Sequence, residues 1–180
     1  MQTLKIVVTG PFASGKTEFI QSISEIDVVS TERKISKEAE RIKNATTVAM
    51  DFGRITIDEE LILYLFGTPG QRRFNFMWEI LSEGMLGFVV MVDSNRPETF
   101  REAQRILATF RSYSPVPYIV AANKQDMDDA WPPDDLKIVL RVESGIKVVP
   151  CVATDRESVK QVLLELLYSI LEIIDQDGTT

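Results

Sequence analysis

The sequence predicts an α/β fold, an α/β/α sandwich around a mainly parallel sheet. Two observations carry that reading. Short apolar runs rich in β-branched residues recur along the chain, as at residues 4–9 (LKIVVT) and 87–92 (GFVVMV). Between them lie segments whose apolar residues repeat at helical spacing, so strands alternate with helices and pair in parallel. In such sheets ligands bind outside the carboxyl ends of the strands, which directs attention to the turns that follow them.

Taken in order, residues 4–9 read as a buried strand, followed by a glycine-containing loop and a helix over about 16–23. Residues 24–46 are polar, without a lasting apolar period, and read as a long loop or a surface helix; long loops in compact domains are usually functional. Residues 47–57 and 61–66 read as two strands of a hairpin joined at Asp58-Glu59-Glu60. A helix is expected within 73–83, then the buried run at 87–92. Residues 97–111 are amphipathic, with Phe100, Ala103, Ile106, Leu107 and Phe110 on one stripe. A strand at 118–122 follows, and Pro133 suits the first turn of a helix reaching about Leu140. The last strand falls at 147–151. A long helix over 157–174 would turn Val159, Val162, Leu163, Leu166, Leu167, Ile170 and Leu171 inward.

The 180 residues, with no internal repeat or linker, predict one domain spanning 1–180, long enough to bury a sizeable core. Hydrophobic residues make up 44% and charged residues 26%, which excludes disordered and collagen-like chains. No apolar run approaches the ~20 residues of a membrane span, and the N-terminus does not resemble a secretory signal. Twenty basic against 27 acidic residues give a net charge of −7, which disfavours nucleic-acid binding through a basic surface. Residues 1–124 hold 15 basic and 15 acidic side chains, and 125–180 hold 5 and 12. That acidic third reads as a solvated surface. Histidine is absent, which removes His-based triads, His-ligated zinc and His acid–base chemistry. The lone Cys151 cannot form an internal disulfide and fits a reducing, cytoplasmic setting.

The segment from Gly10 to Thr17 (GPFASGKT) matches G-x-x-x-x-G-K-[ST], with a strand before it and a helix after it. Glycines let such a loop curl so that its N–H groups face inward, and the helix N-terminus adds about half a positive charge. The pattern is that of a phosphate cradle. Gly10, Ala13, Ser14, Gly15, Lys16, Thr17 and Glu18 are the candidate contacts. Lys16 would reach the β- and γ-phosphates, and the Thr17 hydroxyl would hold Mg²⁺.

Asn123-Lys124-Gln125-Asp126 follows the strand at 118–122. A carboxylate only accepts hydrogen bonds, and guanine offers two N–H donors on one edge where adenine offers an acceptor and a C–H. Asp126 would therefore select guanine. Asn123 would tie loops together, and the Lys124 stem would cover the base. After the last strand, Cys151-Val-Ala-Thr-Asp155 suits a third base loop, with the Ala153 N–H directed at the guanine keto oxygen and the register open by one residue, to Thr154.

In this order, the strings resemble the Ras-like small GTPases over essentially the whole chain. Thr47-Val-Ala-Met-Asp51-Phe52 looks like switch I and the strand after it, and Gly67-Thr-Pro-Gly70-Gln71 looks like switch II. Asp51-Phe-Gly-Arg together with Phe66-Gly-Thr-Pro-Gly-Gln is more similar to the prokaryotic MglA-like and conservon-encoded members. The resemblance implies a P-loop three-layer sandwich: a six-stranded, mixed but mostly parallel sheet, the hairpin strand antiparallel, with five helices. It also implies a GTP/GDP switch that hydrolyses GTP. Thr47 would ligate Mg²⁺, Gly70 would donate its N–H to the γ-phosphate, and Gln71 would orient the attacking water.

Two departures carry expectations. Most of the superfamily has aspartate where this chain has Gly67, so weaker Mg²⁺ retention is expected. Phe12 stands where a small residue faces the γ-phosphate, so slow unaided hydrolysis is expected. Arg33, Arg41 and Arg54 are in-cis candidates for an arginine finger, or ordinary solvated charges. Switch II runs on into Phe74, Phe76 and Trp78, which either form part of a regulator surface or pack a short helix. The resemblance points to a roadblock/longin-fold partner. No prenylation or myristoylation signal is seen, so an intrinsic membrane anchor is not expected. A GTP-binding scaffold with negligible hydrolysis is the alternative reading. An ATP-using P-loop enzyme is a further one, against which Asn123 and Asp126 argue.

Overall fold

The computed structural model describes residues 1–30, 50–70 and 74–178. Its chain order is β1 (Gln2–Thr9), α1 (Lys16–Ile23), β2 (Val29–Ser30), β3 (Asp51–Thr56), β4 (Leu61–Gly67), α2 (Phe76–Ser82), β5 (Gly87–Asp93), a 3₁₀ turn (Pro97–Thr99), α3 (Phe100–Tyr113), β6 (Tyr118–Asn123), α4 (Pro133–Val139), β7 (Val148–Pro150) and α5 (Arg156–Asp177). The sheet order is β2-β3-β4-β1-β5-β6-β7. The six expected strands are all present, with β3 antiparallel to β4 and β1, β4, β5, β6 and β7 parallel. The two-residue β2 adds an antiparallel edge beside β3. Among the described residues five α-helices cover the two faces, as the resemblance implied.

The sheet is buried on both faces, and its central strands show it: all seven residues of β5 and all six of β6 are buried. Continuous apolar runs rather than alternation are what such strands require. One core layer packs α1 and α5 onto Ile6, Val8, Val89 and Met91. The other packs α3, Trp78 and Leu136 onto Val7, Phe88, Val90 and Val92. The stripe Phe100, Ala103, Ile106, Leu107 and Phe110 is buried as its spacing predicted. In the hairpin, the Asp58 carboxylate accepts from the N–H groups of Glu60 and Leu61, both at 2.8 Å, which closes the turn.

One expectation needs correction. Leu171 does not face inward; it is exposed, as are Ile173 and Ile174. A helix of 22 residues is ~33 Å long, and α5 outruns the sheet it packs on after Ile170. The aromatics around α2 divide. Phe74 and Trp78 are buried, Trp78 lying 5.6 Å from the Phe110 ring and donating through Nε1 to Pro69 O at 3.4 Å. Only Phe76 remains on the surface, beside Ile80 one turn on. Residues 31–49, which take in most of the polar stretch 24–46 with Arg33 and Arg41 and the first residues of the expected strand 47–57 with Thr47, lie outside the described residues, as does Gln71.

Candidate functional site

The carboxyl ends of β1, β4, β5 and β6 and the loop after β7 meet at one edge of the sheet and form two adjoining cavities. The first, of about 130 Å³, is lined by residues 12–18 with Asp51, Thr68 and Gly70. The second, of about 290 Å³, is lined by Asn123, Lys124, Asp126, Met127 and residues 152–154. Ala13, Gly15 and Glu18 line both, so the two form one cleft.

The loop from β1 to α1 takes its shape from residues that tolerate positive φ. Gly10 sits at φ 147° and Gly15 at 102°, regions that L side chains rarely adopt. A Cβ on Gly10 would also lie 2.4 Å from Met91 O on β5. Ala13 adopts φ 61°, the left-handed region that non-glycine residues enter at a cost. The start of α1 has no side-chain cap. Its first N–H groups therefore point into the cavity with the positive end of the helix dipole, an anion-binding arrangement. Lys16 is buried, and its ammonium donates to Gly10 O at 2.7 Å and Pro11 O at 2.8 Å, which holds the charge over the loop. Thr17 Oγ1 donates to Asp51 Oδ2 at 2.6 Å. Just past β4, Thr68 Oγ1 donates to Thr9 Oγ1 at 2.9 Å, fastening the chain there to the end of β1. Gly70 lies against Phe12, whose Cδ2 would be 3.0 Å from a Cβ at position 70. Phe12 itself is mostly exposed.

The second cavity is laced together by side chains. Asn123 Nδ2 donates to Ser14 O at 2.9 Å, and Asn123 Oδ1 accepts from the Ala153 N–H at 2.9 Å. One buried amide thus joins the phosphate loop to the loop after β7, as the sequence anticipated. The Lys124 ammonium donates to Asp93 Oδ2 at 2.8 Å, and Gln125 Nε2 donates to Ser94 Oγ and Trp131 O, both at 2.9 Å. Asp126 is exposed on the cavity wall. The Ala153 N–H is directed at Asn123, not into the cavity, which corrects the role expected of it; Thr154 is the next residue along the wall. Ser22 Oγ also donates to Ala153 O, which anchors this loop on α1.

Sequence reasoning missed Asp93 and Ser94. Their one visible signal is a carboxylate at the ligand-facing end of a wholly apolar strand. Arg54 pairs with Glu25 at 3.5 Å and does not line the phosphate cavity, which supports the ordinary reading of that residue. Burial pushes the Cys151 thiol up to about 12, so it stays neutral and unreactive near pH 7. The site's donors suit magnesium. The Thr17 hydroxyl and the Asp51 carboxylate line one cavity, and Asp51 Oδ1 is buried without a protein hydrogen bond. A hard divalent cation takes oxygen ligands of this kind.

This is a P-loop nucleotide-binding protein of small-GTPase type. The chain belongs to the family described as conserved hypothetical ATP binding protein, whose sequence profile matches residues 8–177. It is 34% identical over 126 residues, 70% of this chain and 73% of the relative, to an uncharacterized protein of Methanocaldococcus jannaschii. It is similar to the Ras-related protein RABA6b of Arabidopsis thaliana, 22% identical over 96% of this chain and 72% of the relative. It is also similar to the ADP-ribosylation factor-like protein 3 of Saccharomyces cerevisiae, 27% identical over 88% of this chain and 81% of the relative. No helix among the described residues is long and apolar enough to cross a membrane.

Proposed function

We propose that residues 1–180 act as a single guanine-nucleotide switch that binds GTP and GDP with Mg²⁺ and slowly hydrolyses GTP. The observation that carries this is the base cavity. Asn123 fixes the loops that shape it, and Asp126 stands on its wall as an acceptor-only group. An acceptor there suits the two donors of guanine and opposes adenine, whatever nucleotide the family description names. The Thr154 N–H, one residue beyond the donor used by Asn123, takes the keto oxygen.

At the other end, the loop N–H groups and Lys16 bind the β- and γ-phosphates. Thr17, and Thr47 from the segment outside the described residues, hold the magnesium ion. When bound, that ion neutralises charge on the phosphate oxygens. Gln71 orients a water for in-line attack, the bond from the γ-phosphorus to the bridging oxygen breaks, and GDP and inorganic phosphate result. Gly70 donates its N–H to the γ-phosphate. The Phe12 ring against Gly70 favours a slow reaction, roughly 10⁻⁴–10⁻² s⁻¹ as for unaided GTPases. It also gives some weight to the scaffold reading, in which hydrolysis is negligible.

The likeness to the MglA-like subgroup supports control by regulatory proteins, of roadblock or longin fold, at the switch surface. The exposed pair Phe76 and Ile80 is where we place that contact.

Parallel fluorescence titrations with mant-labelled GDP and ADP test the proposal. Guanine nucleotide is expected to bind at least ~10³-fold more tightly, the scale on which unpaired polar groups discriminate. Equal binding, or a preference for ADP, overturns it. Single-turnover release of phosphate from bound GTP separates the switch from the scaffold.

A further inference from the structure

The two cavities of the cleft meet at Ala13, Gly15 and Glu18, which line both. A nucleotide whose phosphates fill one cavity and whose base fills the other carries its sugar across that junction. Alanine and glycine side chains offer a ligand no hydrogen bond. Among the described residues that line both cavities, only Glu18 has a polar side chain, and a carboxylate accepts without donating. Its direction follows from α1. The core face of that helix carries Phe19, Ile20 and Ile23, and Glu18 lies away from it, exposed. Residues four apart on a helix share a face, and Ser22, one turn on, donates through Oγ to Ala153 O in the loop after β7. The face that carries Glu18 is thus turned to the base-side wall, where Ala153 and Thr154 stand. Thr17, one residue earlier, bonds Asp51 in the phosphate cavity instead.

The Glu18 carboxylate has no hydrogen-bond or ion-pair partner among the described residues. An acid in the first turn of a helix has an ordinary role, favoured by the helix dipole. At the mouth of a cavity built for phosphates, however, its charge also repels the ligand. That cost is offset when the ligand brings donors to the carboxylate, and a ribose brings two neighbouring hydroxyls. Acidic residues of dinucleotide-binding folds bond ribose in this manner. We propose that Glu18 accepts from the ribose hydroxyls of the bound nucleotide and makes the site selective for nucleotides that carry them. This rests on the nucleotide reading above and assigns the sugar to the residue just past the phosphate motif.

Calorimetric titration with unlabelled GDP and 2′,3′-dideoxy-GDP tests this for the full chain, Glu18→Ala and Glu18→Gln. A label on the ribose is avoided because it would occupy one of the oxygens in question. The unaltered protein is expected to prefer GDP by roughly 10–100-fold, the range for hydrogen bonds to a charged group. Alanine is a good helix former at an exposed position and should leave the fold intact while cutting that preference about tenfold or more. The change has a sign for each ligand. GDP binding weakens, whereas dideoxy-GDP, relieved of the repulsion, binds as well as before or better. Glutamine keeps an acceptor without the charge and should fall between.

Equal binding of the two nucleotides by the unaltered protein overturns the inference and leaves the nucleotide reading standing. A preference that survives in Glu18→Ala overturns it as well. So does an alanine variant that loses affinity for both nucleotides alike, the mark of a purely structural residue. If Glu18→Ala does not fold, Glu18→Gln decides: a preference as large as that of the unaltered protein rules the contact out. If adenine nucleotides bind in place of guanine ones, the guanine reading fails, and ADP against 2′,3′-dideoxy-ADP decides the role of Glu18. Binding of neither base overturns both.

Discussion

The two ends of the cleft are held by different means. At the base end, Asn123 bonds Ser14 and Ala153, Lys124 bonds Asp93, and Gln125 bonds Ser94 and Trp131. These contacts join four chain segments through the protein's own groups. At the phosphate end, Ser14 Oγ and Asp51 Oδ1 are buried without hydrogen bonds, and the loop takes positive φ at Gly10, Ala13 and Gly15. Neither end is free of strain or of unpaired polar atoms, since Lys124 takes φ 62° and Asp93 Oδ1 is buried without a hydrogen bond; the difference is that Ser14 and Asp51 line the phosphate cavity, whereas Asp93 does not line the base cavity. A preorganised base end loses little entropy on binding and so discriminates well. A cavity wall with unspent acceptors is stabilised by a donor or a cation that fills it.

The largest effect should come from changing what the base end reads. Asp126→Asn replaces two acceptors with an acceptor and a donor. Guanine then meets a donor where it offers one, while xanthine, which carries a carbonyl at that position, gains a partner. The preference between GDP and xanthosine diphosphate should shift by roughly 10⁴-fold, as in sites built on hydrogen-bond complementarity. Competition against mant-GDP measures it. A variant that keeps its guanine preference would mean that Asp126 does not read the base.

Next in size is the joint between the ends. Gly15 sits at φ 102°, and a Cβ there would lie 2.2 Å from Asn123 Nδ2. Gly15→Ala should cost about 2–3 kcal/mol from backbone strain and crowding together. Urea unfolding measures it. In an Asn123→Ala background the crowding is gone, so the same substitution should cost measurably less; such non-additivity is the mark of direct contact. Additive costs would show that the two ends are not coupled through this pair.

What can be read from the sequence follows the same division. The phosphate loop and the Asn123–Asp126 string are contiguous motifs whose chemistry depends on local spacing, so both are visible. Asp93 and Ser94 act on Lys124 and Gln125 from the end of another strand, and beyond the carboxylate that closes an apolar run nothing nearby in the chain marks them. Asp51 is legible only as part of a resemblance, because its place beside Thr17 depends on strand register. The loop after β7 is short enough that its register stays open until the Ala153 N–H is located. Around α2, aromatic composition alone does not say which side chains turn inward.

The smallest effect should come from the face that belongs to neither end. Phe76 and Ile80 are 56% and 54% exposed and lie four residues apart on α2, so they share one side of the helix. Trp78, on the opposite side, reaches the Phe110 ring and Pro69 O. Replacing both exposed residues with alanine should alter stability by no more than ~0.5 kcal/mol per site, as for ordinary surface positions. Affinity for mant-GDP should stay within about twofold, since neither residue lines the cleft. Trp78→Ala, by contrast, should cost about 3–5 kcal/mol through the cavity it leaves. Urea unfolding of the two variants side by side makes the comparison. A double alanine variant as damaged as Trp78→Ala would mean that Phe76 and Ile80 help hold the fold together, and they would no longer qualify as a surface kept for a partner.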